Sequence, residues 1–248
     1  MTALSQAADT WFRRYRPPAA GTRLVCFPHA GGSAAYYRPL ALRLESTVDA
    51  LVVQYPGRQD RRAEPNVPRI DVLADRIAAA VREVADRPLA FFGHSMGAVL
   101  AFEVTLRLGP GAVTHLFASG RRAPTRYRPE AIHKADDASL LAEVERLDGT
   151  ASVLLRDPEF IDMILPGLRN DYIAIETYRH RPGALVDCPI TALVGDTDPR
   201  TSVSEARDWA SSTSGAFALH VLRGGHFYLA DQAAEVAATI CATLAPAS

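Results

Sequence analysis

The stretch that governs the fold is Pro88-Leu-Ala-Phe-Phe-Gly-His-Ser-Met-Gly-Ala-Val-Leu-Ala-Phe-Glu103. Its centre, Gly93-His-Ser-Met-Gly97, has the form Gly-x-Ser-x-Gly, with an apolar, strand-like run before it and a helix-like run after it. A sharp turn from a strand into a helix strains the backbone of its central residue, and glycines two positions away on either side leave room for that turn. The pattern predicts that Ser95 lies at the tip of such a turn and that the backbone amide of Met96 lies at the N-terminus of the helix.

The pentapeptide alone is weak evidence, because three fixed positions in five residues recur by chance. The strand before it and the helix after it make a nucleophilic serine the better interpretation. The interpretation then depends on whether a base and an orienting acid follow at suitable places along the chain.

Composition narrows the class of protein. The chain has 248 residues, of which 48% are hydrophobic and 22% charged, and its formal net charge is -1. These values suit one α/β domain, with or without a small insertion, and they argue against a nucleic-acid partner. No apolar run approaches the ~20 residues of a membrane span, and the N-terminus lacks a basic segment followed by an apolar one. Cys26, Cys188 and Cys241 form neither a disulfide framework nor a zinc signature, so we expect a reducing cytoplasm. The sequence does not reveal the oligomeric state, and a monomer is the default expectation.

Short apolar runs alternate with amphipathic ones, which predicts an α/β protein with a mostly parallel sheet flanked by helices. Strands are predicted near Arg23–Phe27, Ala50–Gln54, Leu89–Phe92, Thr114–Ala118, Ile190–Val194 and Ala218–Leu222, with a short N-terminal strand around Trp11–Tyr15. Helices are predicted near Ala34–Leu44, Ile70–Ala85, Met96–Leu108, Val203–Ser211 and Ala233–Leu244.

One interval breaks this alternation. Between Gly120 and Pro189 there is no strand pattern, and two helical stretches occur instead, near Ala138–Leu147 and Pro158–Tyr178. A connection of this length needs structure of its own. We therefore predict a helical lid at 121–188, inserted between the first part of the core (1–120) and the second part (189–248).

An acid and a base follow the serine in the chain order typical of hydrolases whose serine lies on such a strand-to-helix turn: serine, acid, histidine. The acid is expected in a loop after a late strand, where Gly195-Asp-Thr-Asp-Pro199 occurs. Asp198 is favoured because the loop can carry it over the strand end, whereas Asp196 could hold the loop through backbone amides. The base is expected after the last strand, and of the seven histidines only His226, in Leu222-Arg-Gly-Gly-His-Phe-Tyr228, lies there.

A second oxyanion donor is expected in the loop after an early strand. The segment Val25-Cys-Phe-Pro-His-Ala-Gly-Gly-Ser33 runs from the end of the strand predicted near Arg23–Phe27 into a loop, and His29-Ala-Gly-Gly32 looks like the HGG-type loop of esterases. The amide of Ala30 is the candidate donor, alongside that of Met96. A glycine-rich turn with no catalytic part is the alternative.

This set of residues predicts acyl transfer through a covalent intermediate. His226 takes the proton of Ser95 as the hydroxyl attacks an acyl carbonyl, and Asp198 orients the imidazole and stabilises its cation. The two amides bind the oxyanion, and water then releases the acyl group. The chemistry requires no metal and no organic cofactor.

Five segments, in the same order, occur in type II thioesterases, and the chain resembles that family over nearly its whole length. These are the standalone editing enzymes of polyketide and nonribosomal peptide assembly lines. The segments are Phe27-Pro-His-Ala-Gly-Gly-Ser33, Gln54-Tyr-Pro-Gly-Arg-Gln-Asp60, Phe92-Gly-His-Ser-Met-Gly97, Gly195-Asp-Thr-Asp-Pro199 and Gly224-Gly-His-Phe227.

The resemblance implies an α/β-hydrolase fold with a mobile helical lid. It also implies that aberrant short acyl groups are hydrolysed from the phosphopantetheine arm of acyl carrier proteins, with acyl-CoA as a weaker substrate. A carboxylester hydrolase or an acyltransferase on the same triad, and a non-catalytic scaffold that binds a carrier protein, are the alternatives. Acyl-chain preference and the carrier protein that is served do not follow from the resemblance.

A basic cluster begins the predicted insertion, with Arg121, Arg122, Arg126 and Arg128. Because carrier proteins are usually acidic, the cluster could help docking. A solvated, arginine-rich loop is an equal alternative. Arg58, Arg61 and Arg62 pose the same question.

Overall fold

The computed structural model describes residues 6–147 and 157–245, so residues 148–156 of the predicted insertion lie outside the described part. Its strands are β1 (Phe12–Arg13), β2 (Arg23–Phe27), β3 (Asp49–Val53), β4 (Leu89–His94), β5 (His115–Ser119), β6 (Ile190–Gly195) and β7 (Phe217–Leu222). Its α-helices are α1 (Gln6–Trp11), α2 (Arg38–Arg43), α3 (Ile70–Arg82), α4 (Met96–Leu108), α5 (Asp137–Leu147), α6 (Pro158–Thr177), α7 (Val203–Arg207) and α8 (Ala233–Leu244).

The strands form one sheet in the order β1-β3-β2-β4-β5-β6-β7. β1 runs antiparallel to β3, and the other neighbouring strands are parallel. This mostly parallel sheet with flanking helices confirms the predicted α/β-hydrolase fold class. β2 lies between β3 and β4, so the loops that leave the carboxyl ends of β2 and β4 run to opposite sides and open a crevice between them.

Two helices at the N-terminal side differ from the prediction. The strand expected over Trp11–Tyr15 is confined to β1, because Trp11 ends α1, a helix that the sequence analysis did not predict. The helix expected over Ala34–Leu44 is split into a 3₁₀ turn at Ala34–Tyr37 and α2. Pro39 lies in the first turn of α2, where a proline is best tolerated because its missing backbone N–H would have no partner within the helix.

The strand and the helix that carry the Gly-x-Ser-x-Gly segment are both deeply buried. All residues of β4 are buried, and so is every residue of α4 from Met96 to Thr105. Both are mostly apolar in sequence, as expected of elements that are covered on all sides. The turn between them is therefore fixed by close packing on both flanks.

The insertion leaves the sheet after β5 and returns at β6, which are neighbours in the sheet. Its helices α5 and α6 bury a small apolar cluster of Leu140, Leu168 and Tyr172, against which the partly buried Ala30 packs. The helical character expected between Gly120 and Pro189 is present in the described residues, and the division of the chain at 120 and 188 stays a prediction. Across residues 6–147 and 157–245, no helix is both long and apolar enough to cross a membrane.

Candidate active site

Ser95 lies at the tip of a strained turn between β4 and α4. Its backbone angles are φ 55° and ψ -116°, a region that residues with a Cβ rarely adopt. A Cβ at Gly93 would lie 2.2 Å from the carbonyl oxygen of Gly97, and one at Gly97 would lie 1.9 Å from the carbonyl oxygen of Phe27. Both glycines of the motif are therefore required by backbone that passes at close range.

Three side chains from separate loops meet at this turn. His226 Nε2 lies 3.1 Å from Ser95 Oγ, and His226 Nδ1 lies 2.9 Å from Asp198 Oδ2. Because a carboxylate only accepts hydrogen bonds, the neutral imidazole carries its proton on Nδ1, and Nε2 is free to accept the Ser95 hydroxyl. The structure thus brings together the serine, histidine and aspartate predicted from the sequence.

Asp198 and Asp196, the two carboxylates of the loop after β6, have different hydrogen-bond partners. Asp198 Oδ1 accepts the backbone N–H groups of Arg200 at 2.8 Å and Thr201 at 3.2 Å, which hold the carboxylate toward His226. Asp196 Oδ1 instead accepts the N–H of Gly224 at 2.8 Å, in the loop that precedes His226. Asp196 therefore ties the acid-bearing loop to the histidine-bearing loop and does not contact the imidazole.

Ala30 and Met96 line the same small pocket as Ser95 and His226. Met96 is the first residue of α4, where a backbone N–H has no partner within the helix. Among the described residues, neither amide has a hydrogen-bond acceptor. Two free N–H groups beside a serine hydroxyl are the arrangement that binds an oxyanion.

Two further histidines are buried beneath His226. Burial, with His226 and Arg58 nearby, lowers the pKa of His29 to about 3. Burial, together with His226 and His29, lowers the pKa of His94 well below its ordinary value. Both rings are therefore neutral at pH 7 and place no positive charge beside His226.

His94 directly precedes Ser95 and begins a hydrogen-bonded chain that the sequence analysis missed. His94 Nδ1 is 2.8 Å from Ser119 Oγ, which in turn lies 2.5 Å from the hydroxyl of Tyr228. The chain links the ends of β4 and β5 to the loop that carries His226. Only Tyr228 had a local signal, its position two residues after His226.

Most arginines of the basic cluster at the start of the insertion form ion pairs with carboxylates of the same chain. Three of its arginines form ion pairs: Arg122 with Glu130, Arg126 with Asp208 and Arg128 with Glu205. Burial, with Arg122 next in importance, lowers the pKa of Arg121 to about 9. These contacts indicate that the cluster has a structural role in the chain. Docking of an acidic partner by the cluster stays a prediction.

The serine on a strand-to-helix turn, the histidine and aspartate from two late loops, and the mostly parallel sheet beneath them define an α/β hydrolase. Residues 22–244 match the family model described as a thioesterase domain. The chain belongs to the thioesterase family and is a thioester hydrolase.

Relatives agree with this assignment. The chain is 47% identical to Thioesterase PikA5 of Streptomyces venezuelae over 94% of its own length and 85% of the relative's. It is also 47% identical to a probable cadicidin biosynthesis thioesterase of Streptomyces griseus, over 99% and 69% of the two lengths. The structure of the type II thioesterase BorB from the borrelidin biosynthetic cluster superposes with a TM-score of 0.89 at 46% identity, covering 96% and 98% of the two chains. The resemblance to type II thioesterases is confirmed.

Proposed function

We propose that this chain hydrolyses acyl groups from the phosphopantetheine arm of acyl carrier proteins in a polyketide or nonribosomal peptide assembly line. The observation that carries the proposal is the hydrogen-bonded series Ser95–His226–Asp198 beside two free backbone amides. Relatives named for biosynthetic thioesterases, at 47% identity, support the assembly-line setting. The physiological task is removal of short or aberrant acyl units, and acyl-CoA is a weaker substrate.

In this proposal Ser95 is the nucleophile and His226 the general base. The 3.1 Å contact between them is within reach for proton transfer as the hydroxyl attacks the thioester carbonyl. Asp198 keeps the proton on Nδ1 and stabilises the imidazolium that forms. The oxyanion is bound by the amides of Ala30 and Met96, and each such donor contributes about 3 kcal/mol to transition-state stabilisation.

The tetrahedral intermediate collapses when the carbon–sulfur bond breaks and the pantetheine sulfur leaves, taking the proton from His226. Water then enters, His226 removes its proton, and the resulting hydroxide attacks the acyl-serine carbonyl. The carbon–oxygen bond to Ser95 breaks, and the acyl group leaves as a free acid. All proton transfers use His226 alone.

The decisive variant is Ser95→Ala, assayed on an acyl carrier protein loaded with acetyl or propionyl groups. We expect kcat to fall by at least ~10³-fold with the fold intact by circular dichroism. Ser212→Ala is the matched control, because Ser212 is a buried serine of a separate 3₁₀ helix at Asp208–Ser212. Near-normal turnover by Ser95→Ala sinks the proposal.

Substrate class is tested separately from the nucleophile. A fluorophosphonate probe should label wild-type protein at Ser95, which excludes a scaffold that only binds. Turnover should then rank acyl carrier protein above acyl-CoA, and acyl-CoA above simple oxygen esters. If the probe labels Ser95 but turnover does not follow that ranking, Ser95 remains the nucleophile and the carrier-protein assignment is overturned. The chain would then be a general ester hydrolase or an acyltransferase.

A further inference from the structure

One motif of the sequence has no part in the chemistry above: Gln54-Tyr-Pro-Gly-Arg58. Arg58 is buried, and its guanidinium reaches α6 of the insertion, where it donates to the carboxylate of Asp171 and, at 3.2 Å, to the carbonyl oxygen of Gly167. It also donates to the carbonyl oxygen of Pro56 at 2.9 Å. The motif thus fixes the loop after β3 to a helix that is 113 residues away in sequence.

Asp171 has a second contact on the other side. The oxygen atom Oδ2 that accepts Arg58 also accepts the backbone N–H of Gly31 at 2.8 Å. Gly31 directly follows Ala30, one of the two proposed oxyanion donors. We call the loop after β2 that carries Ala30, residues 28–34, the oxyanion loop. The side chain of Asp171 is only 1% exposed, so solvent does not compete for its contacts. This single carboxylate oxygen therefore joins the insertion to both the loop after β3 and the oxyanion loop.

These contacts bear on the direction of the Ala30 N–H. The N–H of Gly32 donates to the carbonyl oxygen of His29 at 3.0 Å, and a peptide unit is planar, so this bond fixes the plane that contains the Ala30 N–H. The bond to Asp171 fixes the next peptide plane. Gly31 has φ +74°, and a Cβ there would lie 2.7 Å from Leu168 of α6, so the loop is pressed against the helix.

The Gln54–Arg58 motif also forms hydrogen bonds with both ends of the oxyanion loop. The side-chain amide of Gln54 accepts the N–H of Ala34 at 2.8 Å and donates to the carbonyl oxygen of Arg58 at 3.1 Å. The hydroxyl of Tyr55 donates to the carbonyl oxygen of Pro28 at 2.9 Å. Both ends of the oxyanion loop, at 28 and at 34, are therefore held by the segment that carries Arg58.

We propose that Arg58 and Asp171 are positioning residues that hold the Ala30 amide in the orientation that binds the oxyanion. Arg58 and Asp171 provide each other's opposite charge at a site closed to solvent, so removal of either charge leaves the other buried without a partner. We expect that loss to displace the side chain at position 171 that accepts the Gly31 N–H. Turnover consequently depends on α6 being seated on the oxyanion loop. The inference rests on the proposed function, because it needs Ser95 to form a tetrahedral intermediate.

The test measures kcat, KM and two affinities for Asp171→Asn, Arg58→Met and the double variant. Misplacement of a catalytic group by about 1 Å costs ~10²-fold, so we expect kcat to fall 10- to 100-fold while KM stays within about threefold. Affinity for an alkylboronic acid, which adds to the serine as a tetrahedral anion, should fall by the same factor. Affinity for the free fatty acid product should not change. Since the two residues act as a unit, the double variant should be no worse than the poorer single variant.

The matched control is Asp49→Asn. Asp49 is also 1% exposed and paired with a buried arginine, Arg23, but it lies at the amino end of the sheet, away from Ser95. It should lose thermal stability and keep kcat within about threefold. If Arg58→Met does not fold, Arg58→Lys replaces it, and Asp171→Asn alone still gives the boronate readout.

The proposal is overturned if Asp171→Asn and Arg58→Met behave like Asp49→Asn, with lower stability but unchanged kcat and boronate affinity. A loss confined to KM also overturns it, because that result assigns the pair to substrate binding. These outcomes are distinct from failure of the proposed function, which shows as activity in Ser95→Ala. An inactive Ser95→Ala beside a fully active Asp171→Asn rejects the positioning role alone.

Discussion

Replacement of Gly97 by alanine tests how closely the serine turn is tied to β2. The new Cβ would lie 1.9 Å from the carbonyl oxygen of Phe27 and 2.7 Å from that of Pro28, and both neighbours are backbone. To reach 3.0 Å, the shortest separation that real Cβ contacts tolerate, the start of α4 must move from β2 by about 1.1 Å. Because Gly97 adjoins Met96, that movement displaces the Met96 amide, the proposed oxyanion donor, by a similar distance.

A displacement of this size lowers kcat by ~10²-fold, and the overpacking lowers the free energy of unfolding by about 1–3 kcal/mol. The measurements are turnover of an acyl carrier protein and urea denaturation. Gly225→Ala is the control, because a Cβ there meets nothing within 4 Å although the residue adjoins His226. Its kcat should stay within about threefold. If Gly97→Ala also keeps kcat within threefold, the close contact does not position the Met96 amide for catalysis, and the reasoning fails.

Two other predictions concern the loop carboxylates and acid stability. Asp198→Asn should lower kcat by ~10³- to 10⁴-fold, because the amide oxygen stays with the Arg200 and Thr201 N–H groups and the amide NH2 then faces His226 Nδ1 and favours the wrong tautomer. Asp196→Asn should stay within about tenfold, because Asp196 contacts the Gly224 N–H and not the imidazole; equal losses by steady-state kinetics would contradict the assignment. The pKa of His29 is lowered from 6.5 to about 3 in the folded protein, so as pH falls the unfolded chain binds a proton at a higher pH than the folded protein does. Above pH 6.5 His29 is neutral in both states and costs no stability, and below pH 6.5 the free energy of unfolding decreases. Between pH 7 and 5 this loss is about 2 kcal/mol, and urea denaturation of His29→Gln should show a fall in stability that is smaller by that amount; an unchanged pH dependence refutes it.

Most of the sheet could be predicted because its strands carry a local signal. β2 and α4 begin and end where the sequence analysis expected, since continuous apolar strands and a helix that starts directly after the serine are visible without tertiary information. The order of Ser95, Asp198 and His226 was likewise readable, because each follows a strand that ends at the same edge of a parallel sheet. Their proximity in the structure agrees with that reading.

Contacts between distant segments could not be predicted. Nothing near Arg58 in sequence indicates that it is buried against Asp171, and an arginine is ordinarily assumed to face solvent. The arginines after Gly120 were likewise considered as a possible docking surface, although Arg122 is buried with Glu130 as its partner. Charge partners depend on how the insertion folds back over the core, and that information is not local.

The strained backbone of Ser95 sets function against stability. A non-glycine residue at φ 55° and ψ -116° costs about 1–3 kcal/mol, which glycine at that position would recover. That exchange also removes the only hydroxyl at the tip of the turn, so selection for activity keeps the strain in place. Engineering this hydrolase for heat tolerance therefore has to find its gains elsewhere in the chain, because relief of this strain removes the hydroxyl of Ser95.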